Sequence, residues 1–324
     1  MNKTPFIIGL VALTAMMGAA QAKVLSVATN AQGSLGYRTG IAVAKVVSGK
    51  SDLIARTQPM SGSTTYIPMI NRGEIDFGFS NAMETYYAYK GVATFKGRAH
   101  KNLRLIGMMF PLRTGIVVPT DTGLKSIYDL QKYKGKRITS KYTSLSIIEI
   151  FISGVLANGN VSYDDFKKVP VSGFAKGIFA LGQGKTDITW ISLGSGAGRK
   201  VNAQLRKRGG FIYLDMDPSP AATARFKKIM PAAEIVLEKN TKMPGIHKPT
   251  HIVQIRYMML TSAAMDEKTV YQVTKTLAQN QPDLAKSMGA FRRLKVKGMA
   301  PTNQVPYHPG ALRAYKELGI KVGG

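Results

Sequence analysis

Four short stretches of this chain place hydroxyls, small residues and aromatic rings where an apolar strand-like run gives way to a helical pattern. They are Gly33-Ser34-Leu35-Gly36-Tyr37, Ser61-Gly62-Ser63-Thr64, Ser140-Lys141-Tyr142-Thr143-Ser144 and Ser192-Leu193-Gly194-Ser195-Gly196. In open α/β sheets, ligands gather beyond the carboxyl ends of strands, and helix N-termini there favour an anion through their free N–H groups and dipole. Such a turn could hold a phosphate, a dinucleotide, a carboxylate, or nothing beyond its own cap. Gly33 and Gly36 let the backbone come close to a ligand, Ser34 supplies a hydroxyl, and Tyr37 supplies a ring and a donor. No Gly-Lys-Ser/Thr follows, and glycines at 33, 36 and 40 do not fit G-x-G-x-x-G, so the P-loop and dinucleotide readings fall away. Asn81, closing a third apolar run, could cap a helix or touch a ligand. Trp190 is the single tryptophan and lies near a strand end, and Lys141 is the one cation in these turns.

Other chemistry is sparse. Cysteine is absent, which removes thiol nucleophiles, thiolate zinc and iron–sulfur ligation. His247 and His251 are four apart but have Pro249 between them and no carboxylate nearby, so no metal is expected. Ser195 sits in no nucleophile elbow. No catalytic residue and no cofactor is therefore expected. An exported enzyme would need a histidine or carboxylate at these turns, and they contain none.

The elements that must position the turns form two similar sets. Val24–Thr29, Leu53–Thr57 and Ile75–Ser80 read as strands, with helical stripes at Ile41–Val47 and Thr65–Arg72, and Pro68 in the first turn of the latter. Strand and helix alternating at this spacing means parallel βαβ units with right-handed crossovers. Leu103–Met109 and Gly115–Pro119 then read as two strands. A second set follows: strands at Arg137–Thr139, Lys168–Val171 and Thr186–Ser192, with helices at Leu145–Leu156 and Lys176–Leu181. The first of those helices is apolar on most sides, which predicts deep burial. A long apolar strand, His251–Leu260, and helices at Glu267–Ala278 and within Pro306–Gly319 return to the first set. Two similar α/β lobes suggest a hinged cleft. The expected division is 23–116 with 258–324 as one lobe and 117–257 as the other.

The first 22 residues read as a secretory signal peptide: Lys3, an uncharged apolar run from Phe6, and Ala20-Gln21-Ala22 as the cleavage site. That predicts a periplasmic protein cut after Ala22. The rest, about 300 residues, exceeds what one core usually carries. The charge is uneven, 45 Lys+Arg against 18 Asp+Glu, or +27. The basic clusters are short and scattered, with no helix-turn-helix, zinc pattern or aromatic-basic strip, so nucleic acid is not the expected partner. A basic surface that weakly attracts anionic lipid headgroups or small anions fits better.

Five segments together resemble the TAXI-type solute receptors of TRAP (tripartite ATP-independent periplasmic) transporters. "GSLGY" stands for that family's first turn, and "SGSTTYIPMINRGEIDFGFSNAMETYYAYKG" for its turn, helix and G-E-x-D strand. "IYDLQKYKGKRIT", "LGQGKTDITWIS" and "PYHPGALRAYKELG" follow in the family's order. The resemblance implies a type II periplasmic-binding-protein fold, two Rossmann-like lobes joined by a two-strand hinge. It implies a receptor that carries a small carboxylate or amino acid, such as glutamate, to an integral membrane permease driven by an ion gradient; a monomer is expected. The alternative is an ABC importer's receptor on the same fold. The expected ligand contacts are Gly33, Ser34, Tyr37, Ser61, Ser63, Asn81, Tyr142, Thr143, Ser144, Trp190 and Ser195.

Overall fold

A computed structural model describes residues 23–323; the expected signal peptide lies outside them. The chain runs β1 (Val24–Thr29), α1 (Leu35–Lys50), β2 (Ile54–Pro59), α2 (Ser63–Asn71), β3 (Phe77–Asn81) and α3 (Ala82–Lys90), then the long β4 (Leu103–Pro119). The second half is β5 (Arg137–Ser140), α4 (Ile147–Asn158), β6 (Lys167–Pro170), α5 (Phe174–Gly182), β7 (Thr189–Ser192) and α6 (Gly196–Gln204). It continues through β8 (Phe211–Tyr213), α7 (Pro220–Ile229), β9 (Glu234–Glu238) and β10 (Thr250–Ser262). The chain then closes with α8 (Glu267–Gln279), α9 (Gln281–Ser287) and α10 (Pro309–Glu317).

In the first half β1 pairs in parallel with both β2 and β3. In the second half β5 pairs in parallel with β6, and Ile138 of β5 bridges Ile188 just before β7. Two strands connect the halves. β4 and β10 lie antiparallel from Leu103↔Ser262 to Thr114↔Val253. One end of the pair meets β3 through β10, and the other meets β7 through β4. Both expected lobe boundaries fall inside these two strands. The mixed α/β architecture is that of the type II periplasmic solute-binding proteins.

Two local expectations are corrected. Leu103–Met109 and Gly115–Pro119 are one strand, not two. Pro111 is tolerated inside it because β7 pairs with β4 only from Thr114 onward, so no strand flanks that side of β4 at Pro111. Pro68 lies inside α2 rather than in its first turn, since that helix begins at Ser63.

Each helix that meets the cleft begins for a local reason. The Ser34 hydroxyl accepts the Tyr37 N–H and starts α1, and the Asn81 side chain accepts the Glu84 N–H at 2.9 Å and starts α3. Ser195 accepts the Gly198 N–H and starts α6. α2 starts at Ser63, after Gly62, without a side-chain cap.

Candidate functional site

The two halves are shut on one another. The Ala197 N–H donates to the Gly33 carbonyl at 2.8 Å. The Arg38 guanidinium donates to the Gly194 carbonyl at 2.7 Å, and the Ser144 hydroxyl reaches the Ser61 carbonyl at 3.1 Å. All three bonds cross from one half to the other at the expected turns. The two neutral bonds contribute about 0.5–1.5 kcal/mol net each and the charged Arg38 bond about 1.5–3 kcal/mol, so the latch is small enough for hinge bending to open it.

Behind the latch lies a cavity of about 40 Å³. Its floor is Leu112 of β4 and Tyr257 of β10, the two connecting strands. The first half contributes mostly polar groups: Asn30, Ser34, Ser63, Ser80, Asn81 and Glu84, with Leu35, Gly36 and Phe79. The second half contributes an apolar wall of Leu145, Ile147, Ile148, Phe151, Phe174 and Trp190, with Ser192 as its one polar member. Trp190 and Phe151 pack tilted at 5.8 Å between ring centroids, and Tyr257 stacks on Phe79 at 6.0 Å. A solute here would meet polar partners on one side and be covered by hydrocarbon and rings from the other.

Glu84 dominates the chemistry. Its side chain is fully buried. Ser63 and Ser80 donate their hydroxyls to Oε2 at 2.6 and 2.7 Å, and the Asn81 amide approaches it at 3.4 Å. Oε1 has no partner. Burial pushes the carboxyl above the usual carboxylate range, and the hydroxyls of Ser63, Ser80 and Thr64 pull it partway back. Ser63 is the first residue of α2, so the carboxyl lies at that helix's positive end. The anion that this turn attracts is the protein's own. Tyr257 and Tyr66 are both pushed well up, chiefly by burial, and stay neutral over the working pH range. No lysine, arginine or histidine lines the cavity among the described residues.

Of the expected contacts, Ser34, Ser63, Asn81 and Trp190 line this cavity. The other seven do not. Gly33 takes φ +86° and supplies a latch carbonyl. Tyr37 is half-buried in α1 outside the cavity. Ser61 is exposed, with its hydroxyl on Thr65. Tyr142 is packed in the second half, where its hydroxyl donates to Thr139 at 2.6 Å. Thr143 is exposed and donates to the Ser172 carbonyl. Ser144 belongs to the latch, and Ser195 caps α6. Of the four hydroxyl residues Ser34, Ser63, Thr143 and Ser144 among the expected contacts, only Ser34 and Ser63 therefore reach the cavity. Lys141 is also exposed, away from the cavity.

Sequence reasoning missed Glu84. The residues Asn81-x-x-Glu84 carry the spacing of a capping box, in which the acidic side chain reaches back to the cap. Here only half of the box forms, and the carboxyl turns to Ser63 and Ser80 instead. It also missed the wall of Leu145, Ile147, Ile148 and Phe151. A helix apolar on most sides was the signal, and one of the surfaces it faces is the cavity.

Two α/β halves joined by two connecting strands, with a cavity between them, have the layout of the periplasmic solute-binding fold. A family model described as the NMT1-like family matches residues 27–319, and the chain belongs to that family. Solved structures agree on the fold. One titled as a periplasmic transporter is 13% identical over 94% of this chain and 99% of its own, with TM-score 0.57. PhnD1 from Prochlorococcus marinus, in complex with methylphosphonate, is 13% identical over 92% and 99%, with TM-score 0.55. A binding-protein component of an ABC phosphonate transporter from Pseudomonas aeruginosa is 10% identical over 85% and 80%, with TM-score 0.52. The TAXI subtype is a finer assignment than this family match.

Proposed function

We propose that the chain is an exported receptor that closes its two halves over a small organic solute and hands it to a membrane importer. The observation that carries this is the interlobe cavity, polar on one half and apolar on the other, with both connecting strands in its floor. That arrangement suits a two-step capture. The solute's polar group binds the first half, and hinge bending brings the apolar wall over the rest. Catalysis is less suited to it, because Glu84 is the lone acid–base candidate there besides the raised Tyr257, and one of its oxygens is tied to two serines.

The importer is proposed to be of the ABC type. The Pseudomonas aeruginosa protein on this fold is titled as part of an ABC transporter, which favours that partner over the ion-gradient permease implied by the TAXI resemblance. No described helix is long and apolar enough to cross a membrane, which is compatible with a receptor separate from its permease.

A thermal-shift screen of residues 23–324 against solutes of every charge class tests the receptor. At least one solute should raise the midpoint in a concentration-dependent way, by about 2.7 kcal/mol of added stability at a hundred times its Kd. A flat response across all classes would remove the proposal.

A further inference from the structure

The free oxygen of Glu84 points to the chemical class of the solute, and the inference rests on the receptor reading above. We propose that the interlobe cavity takes a small organic ammonium, whose N–H donates to Glu84 Oε1 while its short hydrocarbon part packs against Trp190 and Phe151.

The two carboxyl oxygens differ. Oε2 already receives the Ser63 and Ser80 hydroxyls, and Oε1 receives nothing. An unpaired buried acceptor is costly unless a partner arrives. When Glu84 is ionised the incoming group must be a donor, and the serine hydroxyls at Oε2 are placed to donate to that ionised form, which a cation would complete. An anion would meet no cationic side chain in the cavity. A phosphonate or carboxylate would also face the buried carboxyl as a like charge.

Geometry narrows the cation further. A guanidinium or amidinium prefers two parallel bonds to both oxygens of a carboxylate. Only one oxygen is open here, which suits the point charge of an ammonium. The wall opposite supplies Trp190 and Phe151, and aromatic faces attract ammonium groups and cover alkyl carbon equally well. Size agrees. Since one water requires about 10–15 Å³, a cavity of about 40 Å³ takes only a few non-hydrogen atoms. The protein's basic surface, formally +27, does not extend into this cavity.

Binding should depend on pH through one proton. The ionisable groups packed around Glu84 from other elements are Tyr66 of α2 and Tyr257 of β10, both held neutral by their raised pKa values. Glu84 alone then sets the profile. Affinity is full above its folded pKa and falls about tenfold for each pH unit below it.

The test uses residues 23–324 and calorimetric titration with methylammonium, ethylammonium and ethanolamine, set against ethanol, acetate and methylphosphonate. The amines should bind and the comparators should not. Glu84→Gln should weaken amine binding at least tenfold while leaving the far-UV circular dichroism intact. In the wild type, binding should weaken on acidification. Binding by acetate or methylphosphonate in place of the amines would overturn the ammonium and leave the receptor standing. So would ethanol binding equally to wild type and Glu84→Gln, or amine binding with no pH dependence. If none of these bound and a wider screen of every class were also flat, the receptor reading would fail with the inference.

Discussion

The Cβ that Gly62 lacks would lie 1.9 Å from the Ser144 carbonyl oxygen. Those residues belong to opposite halves of the chain, and a side chain at 62 cannot coexist with the closed latch. Gly62 has φ 173°, which is extended backbone open to any residue, so the glycine is required by close approach and not by conformation.

Gly62→Ala should therefore hold the halves apart without unfolding either. Small-angle scattering of the variant should give a larger radius of gyration than the wild type. Its circular dichroism should be unchanged, and solute affinity should drop. Ser144→Ala removes one latch bond and adds no clash, so its effect should be much smaller, within about 0.5–1.5 kcal/mol. Equal radii for wild type and Gly62→Ala would show that the contact does not govern closure.

Glu84 should cost the fold stability at high pH. Its folded pKa is raised above the unfolded value by burial. The native state thus holds that proton more tightly than the unfolded chain. The group's favourable contribution is complete below the ordinary carboxylate range and is lost as pH rises through the folded pKa. Glu84→Gln removes this dependence. Above the folded pKa the variant should be more stable than the wild type, by about 1–3 kcal/mol for an unpaired buried acceptor, and on acidification the two should converge. Denaturant titrations at pH 4 and pH 8 measure it. A variant less stable than wild type at pH 8 would mean that Glu84 is satisfied by a partner in the folded state. A stabilising loss of the same residue that abolishes binding would mark a site kept for function.

Tyr142 should behave as a structural residue. Burial pushes its hydroxyl up to about 12, and the Thr139 hydroxyl accepts from it at 2.6 Å. Tyr142→Phe should cost about 1 kcal/mol of stability and leave solute affinity unchanged. A tenfold loss of affinity would place the ring in the ligand's path after all.

Asn81 ties the cap of α3 to the orientation of Glu84. Asn81→Ala should lower stability by about 1 kcal/mol through loss of the cap, and Asn81→Ser should recover most of it. Thermal midpoints of the two variants compare them directly.

Much of the fold can be read from residue patterns. β1 is Val24–Thr29 in both readings, because a short, mostly apolar run between Lys23 and Asn30 has one simple solution. The alternation around α1, α2, α4 and α5 is equally plain. β4 is not, because Pro111 and Arg113 interrupt its apolar pattern and pairing with β10 overrides that local signal. The turns Gly33–Tyr37 and Ser140–Ser144 were legible as the meeting place of the halves. Their roles were not, because a serine that caps a helix, one that latches two halves and one that orients a carboxyl look alike in sequence. Ser195, Ser144 and Ser63 are those three cases. Glu84 was hidden for a related reason: its spacing from Asn81 has an ordinary explanation, and only burial reveals the other.

The most direct measurement uses the single tryptophan, which lines the cavity. Trp190 emission should change saturably as a stabilising solute is titrated into the wild type, at the concentrations that raise the thermal midpoint. The change should shift to much higher concentrations in Gly62→Ala. A solute that stabilises the protein while leaving Trp190 emission untouched, or that binds both proteins alike, would place its site outside the interlobe cavity and contradict the proposed receptor.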